Sequence, residues 1–176
     1  MTGIGGKMTL TRRWQSRLMD EENYGPSSTF LTWVINDNAP LTGSVYAEAN
    51  LRRVIDLLSD EDTSNRDWAA FVIANLKLDT PDIRSALTIC ADDPDENVRA
   101  EAIRGLSRID PVVALPYIQR ALSAPSVGLD IFEAAAIVAD VSLVEPLRKF
   151  ASHSDDKIIA DALEACRTGQ PHPWYL

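Results

Sequence analysis

The feature of this sequence that most constrains its fold is a short segment that occurs twice, with Asp60 and Asp93 opening copies 33 residues apart. Residues 60–73 read DEDTSNRDWAAFVI, and residues 93–106 read DPDENVRAEAIRGL. Five positions correspond: Asp60, Asp62, Arg66, Ala69 and Ile73 align with Asp93, Asp95, Arg99, Ala102 and Leu106. A fixed period of this size is typical of a solenoid of stacked repeats. Because the shared residues suit helix capping, loop tethering and core packing, we interpret the copies as a repeated structural unit rather than a doubled active site.

Apolar residues recur with helical spacing along most of the chain. Stripes at i, i+3, i+4 and i+7 are formed by Leu51, Val54, Ile55 and Leu58; by Ala69, Val72, Ile73 and Leu76; by Ile83, Ala86, Leu87 and Cys90; by Ile131, Ala134, Ala135 and Val138; and by Ile159, Ala162, Leu163 and Cys166. These stripes, with looser ones between them, predict an all-α chain of four hairpins: 45–59 with 64–78, 81–91 with 95–109, 111–123 with 129–140, and 142–152 with 155–167. We call the first helix of each hairpin the A helix and the second the B helix.

Helix-start signals agree with these boundaries. Thr80 and Asp110 each precede a proline, which predicts an N-cap followed by proline at the first helical position. Ser142 with Glu145 three residues later predicts a capping box for a further A helix.

The motif Asp-x-Asp, then Val-Arg with Ala three residues after the Arg, as in DPDENVRAEAIRGL, resembles the short HEAT-type repeat that is also found in phycobilin-lyase-like proteins. The Arg66-Asp67-Trp68-Ala69 motif is similar to one in uncharacterised bacterial HEAT-repeat proteins. The third and fourth copies lack the Arg. The resemblance covers residues 45–168 and implies a right-handed α-α superhelix of about four hairpins. It also implies that Arg66 and Arg99 bond Asp60 or Asp62 and Asp93 or Asp95, in structural ties between loop and helix.

The remaining residues are expected to flank the repeats within one domain. Residues 1–8 are predicted to be a flexible leader, and Met8 is an alternative start. Residues 9–44 contain two short apolar stripes, the first formed by Leu10, Trp14 and Leu18, and are predicted to be a helical cap for one end of the stack. Residues 169–176 form a tail that either folds back over apolar surface or serves as a free peptide for a partner.

Charge and composition exclude several classes of protein. The net charge of −9 disfavours nucleic acid, which needs a positive binding surface, and favours a basic partner or simply solubility. We find neither a membrane-spanning run nor a secretion signal, so the expected location is the cytoplasm. Cys90 and Cys166 occupy apolar positions of helical stripes, which predicts two small core residues rather than metal ligands or a disulfide.

Motifs for catalysis are sparse. The sequence contains no phosphate-binding glycine motif and only two histidines, and no cofactor or metal is expected. Glu101 and Glu133 lie at nearly corresponding places on successive B helices, roughly 8 to 10 Å apart if these helices pack as neighbours. That separation would suit an inverting carboxylate pair, but repeated glutamates on an exposed helix face are the simpler interpretation.

The B helices are the expected binding surface. Trp68 stands one step off its apolar stripe, where the next copy has Glu101, so it is expected either to anchor a partner or to fill the core. The predicted partner-binding residues are Trp68, Glu101, Arg104 and Glu133. We expect a non-enzymatic interaction module, monomeric or weakly dimeric, that binds a protein or peptide, for instance an acidic inhibitor or immunity-type protein. The alternative is a HEAT-type enzyme or DNA-repair protein of the bilin-lyase or DNA-glycosylase sort.

Overall fold

The computed structural model describes residues 24–76, 78–151 and 157–176, and within these ranges the chain is helical and contains no strand. The helices of the described residues are α1 (Thr29–Ile35), α2 (Ala47–Asp56), α3 (Thr63–Leu76), α4 (Pro81–Cys90), α5 (Glu96–Ile109), α6 (Pro111–Ala121), α7 (Leu129–Val138), α8 (Val144–Ala151) and α9 (Lys157–Thr168). Short 3-10 turns at Leu57–Ser59 and Val141–Leu143 follow α2 and precede α8. The prediction of an all-α, HEAT-type fold is confirmed, with α2, α4, α6 and α8 as A helices and α3, α5, α7 and α9 as B helices.

Two of the three predicted helix starts are confirmed. The Thr80 hydroxyl accepts a hydrogen bond from the amide of Ile83, and the Asp110 carboxylate accepts one from the amide of Val113. The capping box at Ser142 is wrong. Instead, the Asp140 carboxylate accepts a hydrogen bond from the Ser142 amide at 2.8 Å and begins the 3-10 turn. Because this turn starts one residue before Ser142, the α-helix begins only at Val144.

The chain divides into two compact units, with the boundary between Ala69 and Ala70. The described part of the first unit, residues 24–69, contains α1, α2 and the first half of α3. Its core includes Phe30, Leu31, Val34, Ile35, Leu41, Val54 and Leu58. Ser28 caps α1 through its side chain and donates its own amide to the side chain of Asn65 at 2.8 Å, which fixes α1 against the start of α3.

The second unit, residues 70–176, contains the end of α3 and helices α4 to α9. Its B helices α5, α7 and α9 lie side by side, since α7 contacts both α5 and α9. Gly105 permits a close approach within this unit: a Cβ there would lie 3.0 Å from both the Ala74 Cβ and a Leu87 methyl carbon. Cys90 and Cys166 are both buried, as predicted for small core residues.

Several expectations fall outside the described residues. The leader at residues 1–8, the alternative start at Met8 and the apolar stripe of Leu10, Trp14 and Leu18 all lie in residues 1–23. The second stripe predicted for the cap, formed by Phe30, Leu31, Val34 and Ile35, is described, and it forms α1 with all four side chains buried.

The repeated segment folds in the same way in both copies. In the first copy, the Asp60 carboxylate accepts the amide of Asp62, and the Asp62 carboxylate accepts the amide of Ser64, both at 2.8 Å. In the second copy, the Asp93 carboxylate accepts the amide of Asp95 at 2.8 Å, and Asp95 accepts the Asn97 and Val98 amides at the start of α5. The first aspartate of each pair therefore closes a turn and the second caps a B helix.

The repeated arginines hold these loops through main-chain carbonyls. Arg66 donates to the carbonyl oxygens of Asp60 and Glu61 at 3.0 and 3.1 Å. Arg99 donates to those of Asp93 and Pro94 at 2.6 and 2.8 Å. The expected tie from Arg99 to Asp93 thus exists, but it ends on the backbone of Asp93, while the aspartate side chains of this loop accept backbone amides.

Arg99→Ala should lower the free energy of unfolding by about 1 to 3 kcal/mol, because two bonds from a charged donor to loop carbonyls are lost. Urea unfolding followed by circular dichroism measures this change. Arg148→Ala is the matched control in the same unit: Arg148 pairs with Glu145 on an exposed face and should contribute less than about 1 kcal/mol. Equal losses in the free energy of unfolding for the two substitutions would contradict the role of Arg99 in holding the loop.

Candidate functional site

Three of the four predicted partner-binding residues are buried. Trp68 is 1% exposed, Glu101 2% and Arg104 0%, so the expectation that they project from the B helices toward a partner is wrong. Trp68 belongs to the core, the other outcome considered for it. The Glu133 side chain retains 15% of its exposure and is the member of the set that reaches the surface.

Arg104 and Glu101 form a buried ion pair that extends to α7. Two guanidinium nitrogens of Arg104 donate to the same Glu101 carboxylate oxygen, at 2.5 and 3.1 Å. The Arg104 Nε also lies 3.3 Å from a carboxylate oxygen of Asp130 and 3.9 Å from one of Glu133. We call these four residues the Arg104 cluster. The clustering explains the burial of Arg104 and Glu101, because each neutralises much of the other's charge.

Three carboxylates surround one guanidinium in the Arg104 cluster, so the cluster carries an excess of negative charge. Its arrangement does not match a catalytic carboxylate pair, because Glu101 is buried and both glutamates are directed at Arg104. Nη1 of Arg104 is buried and has no hydrogen-bond partner within the described part of the chain. The cluster joins α5 to α7, and burying its charged groups costs desolvation free energy.

Next to the Arg104 cluster, the last residues of the chain fold back over the B helices. α9 ends at Thr168, the next residue, Gly169, reverses the chain direction with a φ of 65°, and the Gln170 amide donates to the carbonyl of Ala165. The His172 amide then donates to the carbonyl of Ala136 on α7 at 2.9 Å. We call residues 170–176 the return segment; of the two uses considered for the tail, folding back is the one observed.

Arg108 of α5 holds the return segment by its backbone. Its Nε and Nη2 donate to the carbonyl oxygen of Tyr175 at 3.1 and 2.9 Å, and its Nη1 donates to the carbonyl of Ala74 near the end of α3 at 3.2 Å. A single guanidinium thus connects the return segment to two B helices. Because the bonds from Nε and Nη2 both end on a main-chain oxygen, this contact does not depend on the side chain of residue 175.

Asp161 of α9 holds the side chain of the same residue. The Tyr175 hydroxyl donates to Asp161 Oδ2 at 2.9 Å, and Lys157 donates to the same oxygen at 2.6 Å. The imidazole Nε2 of His172 lies 3.8 Å from the other carboxylate oxygen. Burial alone would raise the pKa of Asp161, but the bonds from Lys157 and Tyr175 and the charges of Lys157 and His172 outweigh it and lower that pKa. Asp161 is therefore ionised and acts as an acceptor.

The sequence analysis did not identify Asp161 and Arg108 as holding this segment. A signal for Asp161 was present: if Ala102, Ala135 and Ala162 are equivalent, Asp161 occupies the same repeat position as Glu101. Arg108 follows Arg104 by one helical turn. Its role depends on a segment 67 residues later in the chain, which no local pattern predicts.

A small cleft lies between the start of α5 and the loop before α7. Its wall includes the apolar residues Ala100, Ile103 and Ile131 and the polar residues Arg99 and Asp130, and its volume is about 140 Å³. Ligand pockets for cofactors and drug-sized molecules are typically about 300 to 1,000 Å³. The cleft suits a single side chain better than a cofactor.

Other kinds of site find no support in the part of the chain that the structure describes. That part contains no group of three or more His, Cys, Asp or Glu side chains arranged to hold a metal ion. Burial raises the pKa of the Cys166 thiol to about 12, helped by the charge of Asp140, so this cysteine stays protonated and is a poor nucleophile. None of the described helices is long and apolar enough to cross a membrane.

The Arg104 cluster predicts opposite effects for two substitutions. Arg104→Met should lower the free energy of unfolding by about 3 to 5 kcal/mol, because it leaves Glu101 buried without its guanidinium. Glu133→Gln should have little effect or stabilise slightly, because it removes part of the excess negative charge. Urea unfolding at neutral pH measures both. If Glu133→Gln lowered the free energy of unfolding as much as Arg104→Met, all three carboxylates would be needed for the stability of the cluster.

The contacts of the return segment predict that Tyr175 loses its proton at an unusually high pH. Burial, the hydrogen bond to Asp161 and the charges of Asp161 and Glu133 raise the pKa of Tyr175 from its ordinary value of 10 to about 12. Since the folded-state pKa is the higher one, the stability gained from the neutral phenol is present below about pH 10 and lost as pH rises through about 12.

Ultraviolet difference absorbance of the phenolate should therefore show a step near pH 12 that disappears in Tyr175→Phe. Tyr46→Phe is the control: it removes an exposed tyrosine and should leave that step in place. Titration of Tyr175 at its ordinary pKa would mean that the return segment is not docked in solution.

Comparison with known proteins connects this architecture to a family. A family model described as HEAT repeats matches residues 51–139, slightly more than half of the chain. The protein YibA of Escherichia coli, from strain K12 and from O157:H7, is 34% identical over 143 residues, which are 81% of this chain and 48% of YibA. The X-ray structure of E. coli YibA superposes with a TM-score of 0.60 at 26% identity and covers 89% of this chain and 58% of YibA.

The chain thus spans about half the length of the curated relatives it matches. The motif that repeats at Asp60 and Asp93 falls inside the matched range, and the alternation of A and B helices agrees with it. The protein belongs to the HEAT-repeat family.

Proposed function

We propose that this protein is a non-enzymatic interaction module that binds a protein or peptide partner on the B-helix surface, meaning the face of α5, α7 and α9 that the return segment contacts. The observation that carries the proposal is the return segment itself. This surface already holds a peptide, by its main chain through Arg108 and Ala136 and by a side chain through Asp161. HEAT repeats are helical scaffolds that typically mediate protein interactions, which supports the same conclusion.

Charge favours a neutral or basic partner. The chain has a net charge of −9. Around the return segment, Asp161 bonds the Tyr175 hydroxyl and Glu133 contributes further negative charge there, whereas Lys157 and Arg108 are already engaged in bonds. A basic partner would be attracted toward such a surface, and it would be repelled less than an acidic partner when it docks. An acidic inhibitor or immunity-type protein that masks a basic target in the cytoplasm is the concrete form of this proposal.

The alternative of a HEAT-type enzyme or DNA-repair protein has less support. The glutamate pair considered for catalysis belongs to the Arg104 cluster, where Glu101 is inaccessible to a substrate. The cleft beside Arg99 is too small for a cofactor, and the negative charge opposes phosphate binding. We therefore propose no reaction for this chain.

Site-specific photo-crosslinking in the host cell tests the proposed surface. A photoreactive amino acid at Glu164, an exposed position on α9, should trap a defined partner. The matched control is Val112 on the A helix α6, which is 82% exposed and should trap nothing in common with it. With the trapped partner purified, Glu133→Lys should weaken binding by about tenfold or more, and binding should weaken further as salt is raised.

The same adducts at Glu164 and Val112, or unchanged affinity for Glu133→Lys, would contradict a partner site on the B-helix surface. Glu145→Lys on α8 is the control for the charge reversal, because its side chain is exposed and pairs with Arg148 away from the return segment. It should leave affinity within about twofold, as expected for an exposed ion pair.

A further inference from the structure

We propose that the B-helix surface recognises a tyrosine-bearing, non-acidic segment of its partner, and that the return segment occupies this position in cis and must be displaced. This inference rests on the proposed function and specifies the partner's chemistry. It follows from how Tyr175 is held: its carbonyl by Arg108 and its hydroxyl by Asp161.

The two contacts to Tyr175 select different properties of a ligand. The Arg108 guanidinium binds a carbonyl oxygen, which every peptide offers. The Asp161 carboxylate needs a hydrogen-bond donor at the distance of a phenol hydroxyl, and this requirement distinguishes tyrosine from phenylalanine. A site built around a substrate hydroxyl rejects the analogue that lacks it, because the buried acceptor is then left with fewer partners.

The negative charge around Tyr175 further restricts which segments can bind. The side chains of Asp161 and Lys157 are 14% and 79% exposed, so the carboxylate is the part of that pair enclosed beneath the docked tyrosine. Glu133 also acts on the Tyr175 hydroxyl. An aspartate, a glutamate or a phosphorylated tyrosine at this position would bring negative charge against both carboxylates. The ligand is therefore an unmodified tyrosine in a neutral or basic segment.

The return segment is suited to displacement. Trp174 is 81% exposed and Leu176 55%, so two of its three large terminal side chains contribute little buried area. The segment is attached through Gly169, and its tether gives it a high local concentration, of millimolar order for short flexible linkers. An intact segment should therefore weaken binding of an external peptide without preventing it.

The test uses the entire 176-residue chain and a fluorescein-labelled peptide of sequence GQPHPWYL, corresponding to residues 169–176. In fluorescence anisotropy, the peptide should bind the Tyr175→Ala chain at least about tenfold more tightly than the unaltered chain, because the cis competitor is weakened. Replacing the peptide's Tyr by Phe should weaken binding to the Tyr175→Ala chain by about tenfold, and replacing it by Glu should abolish binding.

A double-mutant cycle then separates a direct bond from a structural effect. In the Tyr175→Ala background, Asp161→Ala should make the Tyr and Phe peptides bind equally, since the acceptor for the hydroxyl is gone. Arg108→Ala should weaken both peptides alike. Arg148→Ala is the control and should change neither, and circular dichroism of each variant verifies that the helices persist.

Three results would overturn the inference: equal affinity of Tyr and Phe peptides for the Tyr175→Ala chain, no gain in affinity on Tyr175→Ala, or a concentration-dependent dimer of the unaltered chain that Tyr175→Ala dissolves. The last would show that the segment docks between copies rather than in cis. Any of them leaves the photo-crosslinking result untouched, so failure of this inference is distinguishable from failure of the proposed function.

Discussion

The structure depends on a constraint common to helical repeats: a hairpin of two short helices buries its apolar stripe only against neighbouring hairpins. The stripes of α5, α7 and α9 are buried in this way within the second unit, and Gly105 lets α5 approach Ala74 and Leu87 by having no side chain. The repeated loop then fixes the two B helices that follow it, α3 and α5, through an aspartate cap and an arginine that binds loop carbonyls. Conserving this loop in both copies leaves the exposed B-helix positions free to differ.

B-helix positions that differ between copies, some buried and some not, carry the contacts that distinguish one copy from the next. If Ala102 and Ala162 are equivalent, the same repeat position holds Glu101 on α5, buried against Arg104, and Asp161 on α9, which faces the return segment. This position thus supplies a structural ion pair in one copy and a hydrogen-bond acceptor for the return segment in another. Arg108 adds a main-chain contact beside them. The return segment is therefore held by B-helix residues that differ between copies, rather than by the repeated loop.

The sequence predicted the helices well, because stripes at i, i+3, i+4 and i+7 and the caps at Thr80 and Asp110 are local signals. It failed for Glu101 and Arg104, which were expected to be exposed, and it left Trp68 open between the surface and the core. Periodicity identifies one buried face of a helix, whereas packing on further neighbours and ion pairing bury others. The partners of Arg104 on α7 and of Arg108 in the return segment are distant in sequence, so their contacts required the tertiary structure.

Hydrogen-deuterium exchange of the unaltered chain, with and without a saturating tyrosine peptide, tests most directly whether the B-helix surface is a peptide site occupied in cis. The account predicts that the amides of the return segment, among them the His172 amide bonded to Ala136, exchange faster when the peptide is present. The amides of α5, α7 and α9 should remain as protected as before. Unchanged exchange in the return segment, or new protection confined to the A helices, would contradict it.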